Sequence, residues 1–119
     1  MGERTIIFAL LLGLAGSSLG DSKENVFVSL YQERVRLAKA EVRSQEAETQ
    51  FQAARFERYR NLVKTSSVSR EEFERAEADY KKSLAHEDVF KARVSEEEAM
   101  LEVVKHLVQN GQPVPVCRP

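Results

Sequence analysis

The chain has 119 residues, with 18 Lys or Arg against 19 Asp or Glu and a formal net charge of -1, so it carries neither the basic stripe that nucleic acid requires nor a cationic footprint for anionic lipid. Charged residues make up 31% of it, aromatics 8%, and Trp is absent, which leaves too little bulky apolar material for a globular core of ordinary depth. The length allows one small domain, and a long, thin helical object is the expected class.

Residues 1–20 read as a secretory signal. Arg4 stands near the amino terminus, Ile6 to Ala15 is almost wholly apolar, and the small residues from Ala15 to Ser18 and Gly20 offer cleavage after Ser17 or Gly20. The apolar run is shorter than the roughly 20 residues that span a bilayer, with an uncleaved signal anchor in the inner membrane as the alternative fate. Export to the periplasm or cell envelope is the expectation. A polar leader, 21–25, follows. At the other end 109–119 reads as a disordered tail, and its Cys117, the only cysteine, cannot build an intrachain disulfide framework.

All five glycines and all three prolines lie at position 20 or earlier or at position 111 or later. The chain between them is therefore free of helix breakers. Within that window Thr65 to Ser69 interrupts the pattern, because four of its five residues are Ser or Thr, whose hydroxyls compete with the helical backbone. Ser69 has the features of an N-cap. Glu72 completes a capping box, Val68 and Phe73 form a hydrophobic staple, and Glu71, Glu72 and Glu74 place negative charge at the positive end of the helix dipole.

The expected fold is all-α: a long antiparallel two-helix coiled-coil hairpin spanning 26–108, with arms at about 26–64 and 70–108 and a tip at 65–69. The second arm ends where Lys105 and His106 occupy the last turn, Asn110-Gly111 supplies the cap, and Pro113 and Pro115 follow. Each arm has about 39 residues, or roughly 58 Å at the helical rise.

Periodicity supports the pairing. In the second arm Phe73, Ala76, Tyr80, Ser83, Glu87, Phe90, Val94, Glu97, Leu101, Val104 and Val108 keep a 3,4 alternation, with Ala78, Ala85, Ala92 and Ala99 recurring every seven residues beside it. The first arm offers Leu30, Leu37, Ala40, Ser44, Ala47, Phe51, Ala54, Arg58 and Leu62 as its facing stripe. The seven-residue repeat predicts a left-handed coiled coil. Its many small residues bury little area, so self-association or a channel partner is expected to add stability. Glu71 with Arg75, Glu77 with Lys81 and Glu87 with Lys91 stand four apart, as surface ion pairs do.

The segment Arg58-Tyr59-Arg60-Asn61-Leu62-Val63, followed by Val68-Ser69-Arg70-Glu71-Glu72-Phe73-Glu74-Arg75-Ala76, resembles the hairpin of membrane fusion proteins, the HlyD-type periplasmic adaptors of efflux pumps and type I secretion systems. Arg58, Leu62 and Ser69 stand at the spacing of that family's tip residues, and the resemblance covers roughly Leu30 to Leu101. It implies a non-enzymatic adaptor whose hairpin docks, tip to tip, onto an outer-membrane channel, with several copies forming a ring. In that role Arg58 makes the polar contact, Leu62 the apolar one, and Ser69 caps the helix that shapes the tip. Lys64, Thr65, Ser66 and Ser67 line the apex.

Adaptors of this kind add a lipoyl-like domain, a β-barrel and a membrane-proximal domain, and no strand-forming run of adequate length lies outside the two helices. A split piece or remnant of a full adaptor, working with other adaptor or pump subunits, is therefore a further expectation. A second class is a structural or chaperone-like coiled coil of the cell envelope, acting through its side stripe, where Phe90 and Val94 would matter more than the tip. Nothing in the sequence calls for a cofactor. His86 and His106 read as solvated surface positions and not as metal ligands, and Glu96, Glu97 and Glu98 as a solvated face and not as paired catalytic carboxylates. A narrow two-helix object has no pocket able to exclude water, so an enzyme is not expected.

Overall fold

The structure, a computed structural model, describes the backbone of residues 4–115 and the side chains of residues 26–115. Two helices make up its regular structure: α1, Arg4–Lys64, and α2, Arg70–Gln109. The end of α1 and both ends of α2 fall within a residue of the sequence expectation. The start of α1 does not. It is helical from Arg4, through the stretch read as signal and leader, where Leu and Ala favour helix and no proline interrupts the run. The side chains of the signal segment, and residues 116–119 with Cys117, lie outside the described residues.

By its internal contacts the chain divides into two compact units, Met1–Glu33 with Met100–Pro119, and Arg34–Ala99. In the second unit the arms run antiparallel. As numbers rise along α1 their partners fall along α2, from Arg34 with Glu97 at 2.9 Å, through Glu41 with Arg93 at 3.0 Å, to Arg55 with Asp79 at 3.1 Å. Ala76, Ser83 and Glu97 are buried, and Phe73, Tyr80, Glu87, Phe90 and Val94 are half-buried. The α2 stripe read from periodicity is thus the face that meets α1.

The stripe assigned to α1 is out of phase. Leu37 and Phe51 are 60% and 62% exposed, and Ser44, Ala47, Ala54 and Arg58 are exposed as well. The buried or half-buried series is Val35, Ala38, Val42, Gln45, Thr49, Gln52, Phe56, Tyr59 and Val63, again in 3,4 alternation. Polar side chains occupy its centre because they hydrogen-bond across the seam: Gln45 Nε2 donates to the Ser83 carbonyl at 3.2 Å, and Thr49 Oγ1 approaches the same oxygen at 3.4 Å. Towards the tip the seam turns aromatic. Phe56 stacks on Phe73 at 5.6 Å between ring centroids and on Tyr80 at 5.7 Å. Each such pair contributes about 0.5–1.5 kcal/mol beyond the area it buries.

Glu97 departs from the solvated reading. Only 8% exposed, it lies in the seam with one carboxylate oxygen on Arg34 and the other, Oε2, without a hydrogen-bond partner. Glu98 pairs outside the seam with Lys39 at 2.7 Å, and Glu96 is exposed. The three adjacent glutamates do point in different directions, but one of them points inwards. Phe90 and Val94 are likewise seam residues, half-buried.

In the first unit Tyr31 and Val104 are buried. The end of α2 is a Schellman motif: Gly111, at φ 65°, donates its N–H to the Val108 carbonyl at 3.1 Å, and Gln112 donates to Leu107 at 2.9 Å. Beyond it, in the stretch expected as a disordered tail, the Pro115 carbonyl accepts a long 3.5 Å hydrogen bond from the Tyr31 hydroxyl.

Candidate functional site at the hairpin tip

Two caps placed back to back build the tip. At the end of α1 the Ser66 N–H donates to the Val63 carbonyl at 3.2 Å and the Ser67 N–H to Leu62 at 3.0 Å, which is a second Schellman motif. Its left-handed position, φ 55°, is held by Ser66, where glycine is usual. A side chain there costs about 1 kcal/mol. Thr65 offsets part of that cost, since its hydroxyl donates to the Leu62 carbonyl at 3.0 Å and meets Ser67 Oγ at 2.9 Å.

At the start of α2 the capping box forms in both directions. The Glu72 N–H donates to Ser69 Oγ at 3.1 Å, and the Ser69 N–H donates to Glu72 Oε2 at 2.8 Å. Phe73 N–H closes the first helical hydrogen bond, to the Ser69 carbonyl, at 3.1 Å. The Ser69 backbone N–H, then its hydroxyl, and the nearby Arg75 charge hold the Glu72 carboxyl below its ordinary value. Val68 and Phe73, the staple positions, are half-buried.

The expected partner-binding residues divide by what the caps leave free. Arg58, Lys64, Thr65, Ser66, Ser67 and Ser69 are exposed, whereas Leu62 is half-buried. Ser69 is committed to the cap, and the Leu62 carbonyl is committed to the α1 terminus. Arg58 and Lys64 form no ion pair among the described residues, so two cations near the apex stand uncompensated. One helical turn separates Arg58 from Leu62, which puts them on neighbouring surface of α1.

The residues that support the tip from below escaped the sequence reading. Arg55 bridges to Asp79 at 3.1 Å while its guanidinium lies 5.4 Å from the Tyr59 ring centre, and Phe56 stacks between Phe73 and Tyr80. The Phe56 and Tyr59 spacing was the available signal, but it belongs to the α1 phase that the larger exposed side chains concealed. His86 is exposed, His106 Nε2 contacts Asn110 Nδ2 at 3.0 Å, and among the described residues no group of three or more potential metal ligands occurs.

In the Arg34–Ala99 unit two antiparallel helices are thus joined by a doubly capped, polar apex flanked by cations. A family model for the RND MFP alpha-helical hairpin domain matches residues 32–105, and the chain belongs to that family of RND membrane fusion proteins. No curated protein and no solved structure matches it. The family has an adaptor-type role in RND efflux, is periplasmic or envelope-associated, and is in general non-enzymatic. It partners in general with outer-membrane channels and pump subunits. Among the described residues no helix is long and apolar enough to cross a membrane.

Proposed function

We propose that this chain is the docking arm of a periplasmic RND efflux adaptor, exported by its amino-terminal segment, and that its apex engages the helical ends of an outer-membrane channel. Arg58 supplies the charged contact, Leu62 the apolar one, and Lys64, Thr65, Ser66 and Ser67 the polar surface between them, with Ser69 fixing the geometry. Several copies act together, alongside the pump subunits.

The observation that carries this reading is the disposition of the apex. Its backbone is tied off by caps on both sides, while its exposed hydroxyls and two unpaired cations face outwards. Such a surface is ordered before it meets a partner, so docking costs little further conformational entropy. The RND assignment of the hairpin family favours efflux over type I secretion as the setting.

Capture of outer-membrane channel proteins by the full chain tests the proposal, with wild type compared against an Arg58→Asp, Leu62→Asp double variant. Loss of capture by a variant of unchanged helicity is the expected result. Equal capture by both overturns docking through the tip.

A further inference from the structure

We propose that a groove on one flank of the Arg34–Ala99 unit, between Val42 and Val94, binds a single small anionic amphiphile, a carboxylate or sulfonate head on an apolar body. The site is independent of the docking assigned to the apex. Along α1, Arg43 stands roughly 22 Å from Arg58 at the helical rise.

The groove is about 300 Å³ in volume and is lined by Lys39, Val42 and Arg43 of α1 and by Lys91 and Val94 of α2. Val42 and Val94 are half-buried and form an apolar floor, while the three cations are exposed. No carboxylate is among the lining residues. Two other grooves along the same arms differ in this respect: one is lined by Glu46 and Glu87 beside Tyr80, and the other by Glu48 and Asp79 beside Lys82. Carboxylates make both of them poor places for an anion.

Cations beside a helical seam ordinarily cover apolar surface with their stems and pair with acids on neighbouring turns or on the other arm. That account holds for two of the three. Lys39 pairs with Glu98 at 2.7 Å, and Lys91 pairs with Glu87 and approaches Glu46 at 3.8 Å. It fails for Arg43. The acid nearest to it in sequence on the next turn, Glu46, is the one that approaches Lys91, and among the described residues Arg43 makes no ion pair. A free guanidinium at the rim of an apolar floor offers a planar fork suited to a carboxylate or sulfonate, and two ammonium groups add to its field.

Both parts of the ligand follow from this lining. The head takes Arg43, the cation left uncommitted, and the body covers Val42 and Val94, which a hydrophilic anion would leave in water. The surroundings favour one molecule over an anionic membrane surface. Glu98, Glu46 and Glu87 already hold Lys39 and Lys91, so a broad anionic surface laid on this flank would meet carboxylates as well as cations. A helical peptide needs anchors over several turns, and this floor has two valines.

Methyl NMR of the full chain tests the site, with decanoate below its micellar concentration as the probe. The Val42 and Val94 methyl resonances should shift saturably with decanoate. They should not do so with acetate, which lacks the body, or with decyltrimethylammonium, which reverses the head. Arg43→Glu should weaken decanoate binding by about tenfold or more at unchanged helicity, as loss of a charge-assisted contact does, and Arg43→Lys should weaken it less. Equal shifts with decyltrimethylammonium, or undiminished decanoate binding by Arg43→Glu, overturn the proposal. So does a response of these methyls to phosphatidylglycerol vesicles or to a glutamate-rich helical peptide with none to decanoate.

Discussion

The tip and the middle of the seam are both polar, yet they are polar for opposite reasons. At the tip, Thr65 to Ser69 satisfy backbone groups that two helix ends would otherwise leave open, using partners no more than five residues away. In the middle, Gln45 and Thr49 reach across to the Ser83 carbonyl on the other arm, 38 and 34 residues distant in sequence. Local polarity ends structure in an orderly way, whereas non-local polarity interrupts an otherwise apolar contact and must be matched by a partner. The tip can therefore be read from a short window, and the seam only when both arms are placed.

The largest effect that would break this contrast lies just below the tip. Phe56→Ala removes the ring that stacks on both Phe73 and Tyr80, and we expect a loss of about 2 kcal/mol, under the full-burial range because Phe56 is half-buried. Chemical denaturation followed by circular dichroism measures it. A loss no larger than that of an exposed substitution such as Phe51→Ala would mean that the arms are held elsewhere.

Next in size is the cap. Ser69→Ala should cost about 1 kcal/mol and should also flatten the acid response of the tip. The Glu72 carboxyl is depressed in the folded protein, so its contribution is complete above its ordinary value and is lost as pH falls through the lowered one. Wild type should lose tip protection in amide exchange over that acid window, and the Ser69→Ala variant should show less change there. An identical pH profile in the two proteins would mean that the Ser69 backbone N–H, which alanine keeps, holds the Glu72 carboxyl without help from the hydroxyl.

The smallest expected effect is a gain. Ser66→Gly relieves a side chain at φ 55° and should stabilise the hairpin by up to about 1 kcal/mol, less the entropy that glycine adds to the unfolded chain. Thermal unfolding would show a modest rise in Tm. A fall would indicate that the Ser66 side chain holds the turn by contacts of its own.

Much of the fold was legible, for identifiable reasons. The cap at Ser69, the turn before it, the end of α2 at Gly111 and the α2 stripe all follow from residue types at fixed local offsets. The surface pairs Glu71–Arg75, Glu77–Lys81 and Glu87–Lys91 formed as four-residue spacing predicts. The α1 stripe was misread because its largest apolar residues, Leu37 and Phe51, point outwards, while the seam accepts Gln45, Thr49 and Gln52 in exchange for hydrogen bonds that one helix alone does not reveal. Glu97 was misread in the same way, since its inward position makes sense only with Arg34 opposite. At the candidate site the capping role of Ser69 was visible in advance, but the left-handed Ser66 was not, because sequence rules reserve that position for glycine.

The double cap also separates two properties that docking loops commonly entangle. The bonds that shape the apex run mainly through backbone groups and the hydroxyls of Thr65 and Ser69, while the side chains of Arg58 and Lys64 take no part in them. The side chains of Arg58 and Lys64 can thus be exchanged without redrawing the turn. Under the docking proposed above, substitutions at those two cations would change the charge the apex presents while keeping its arms and their junction unchanged.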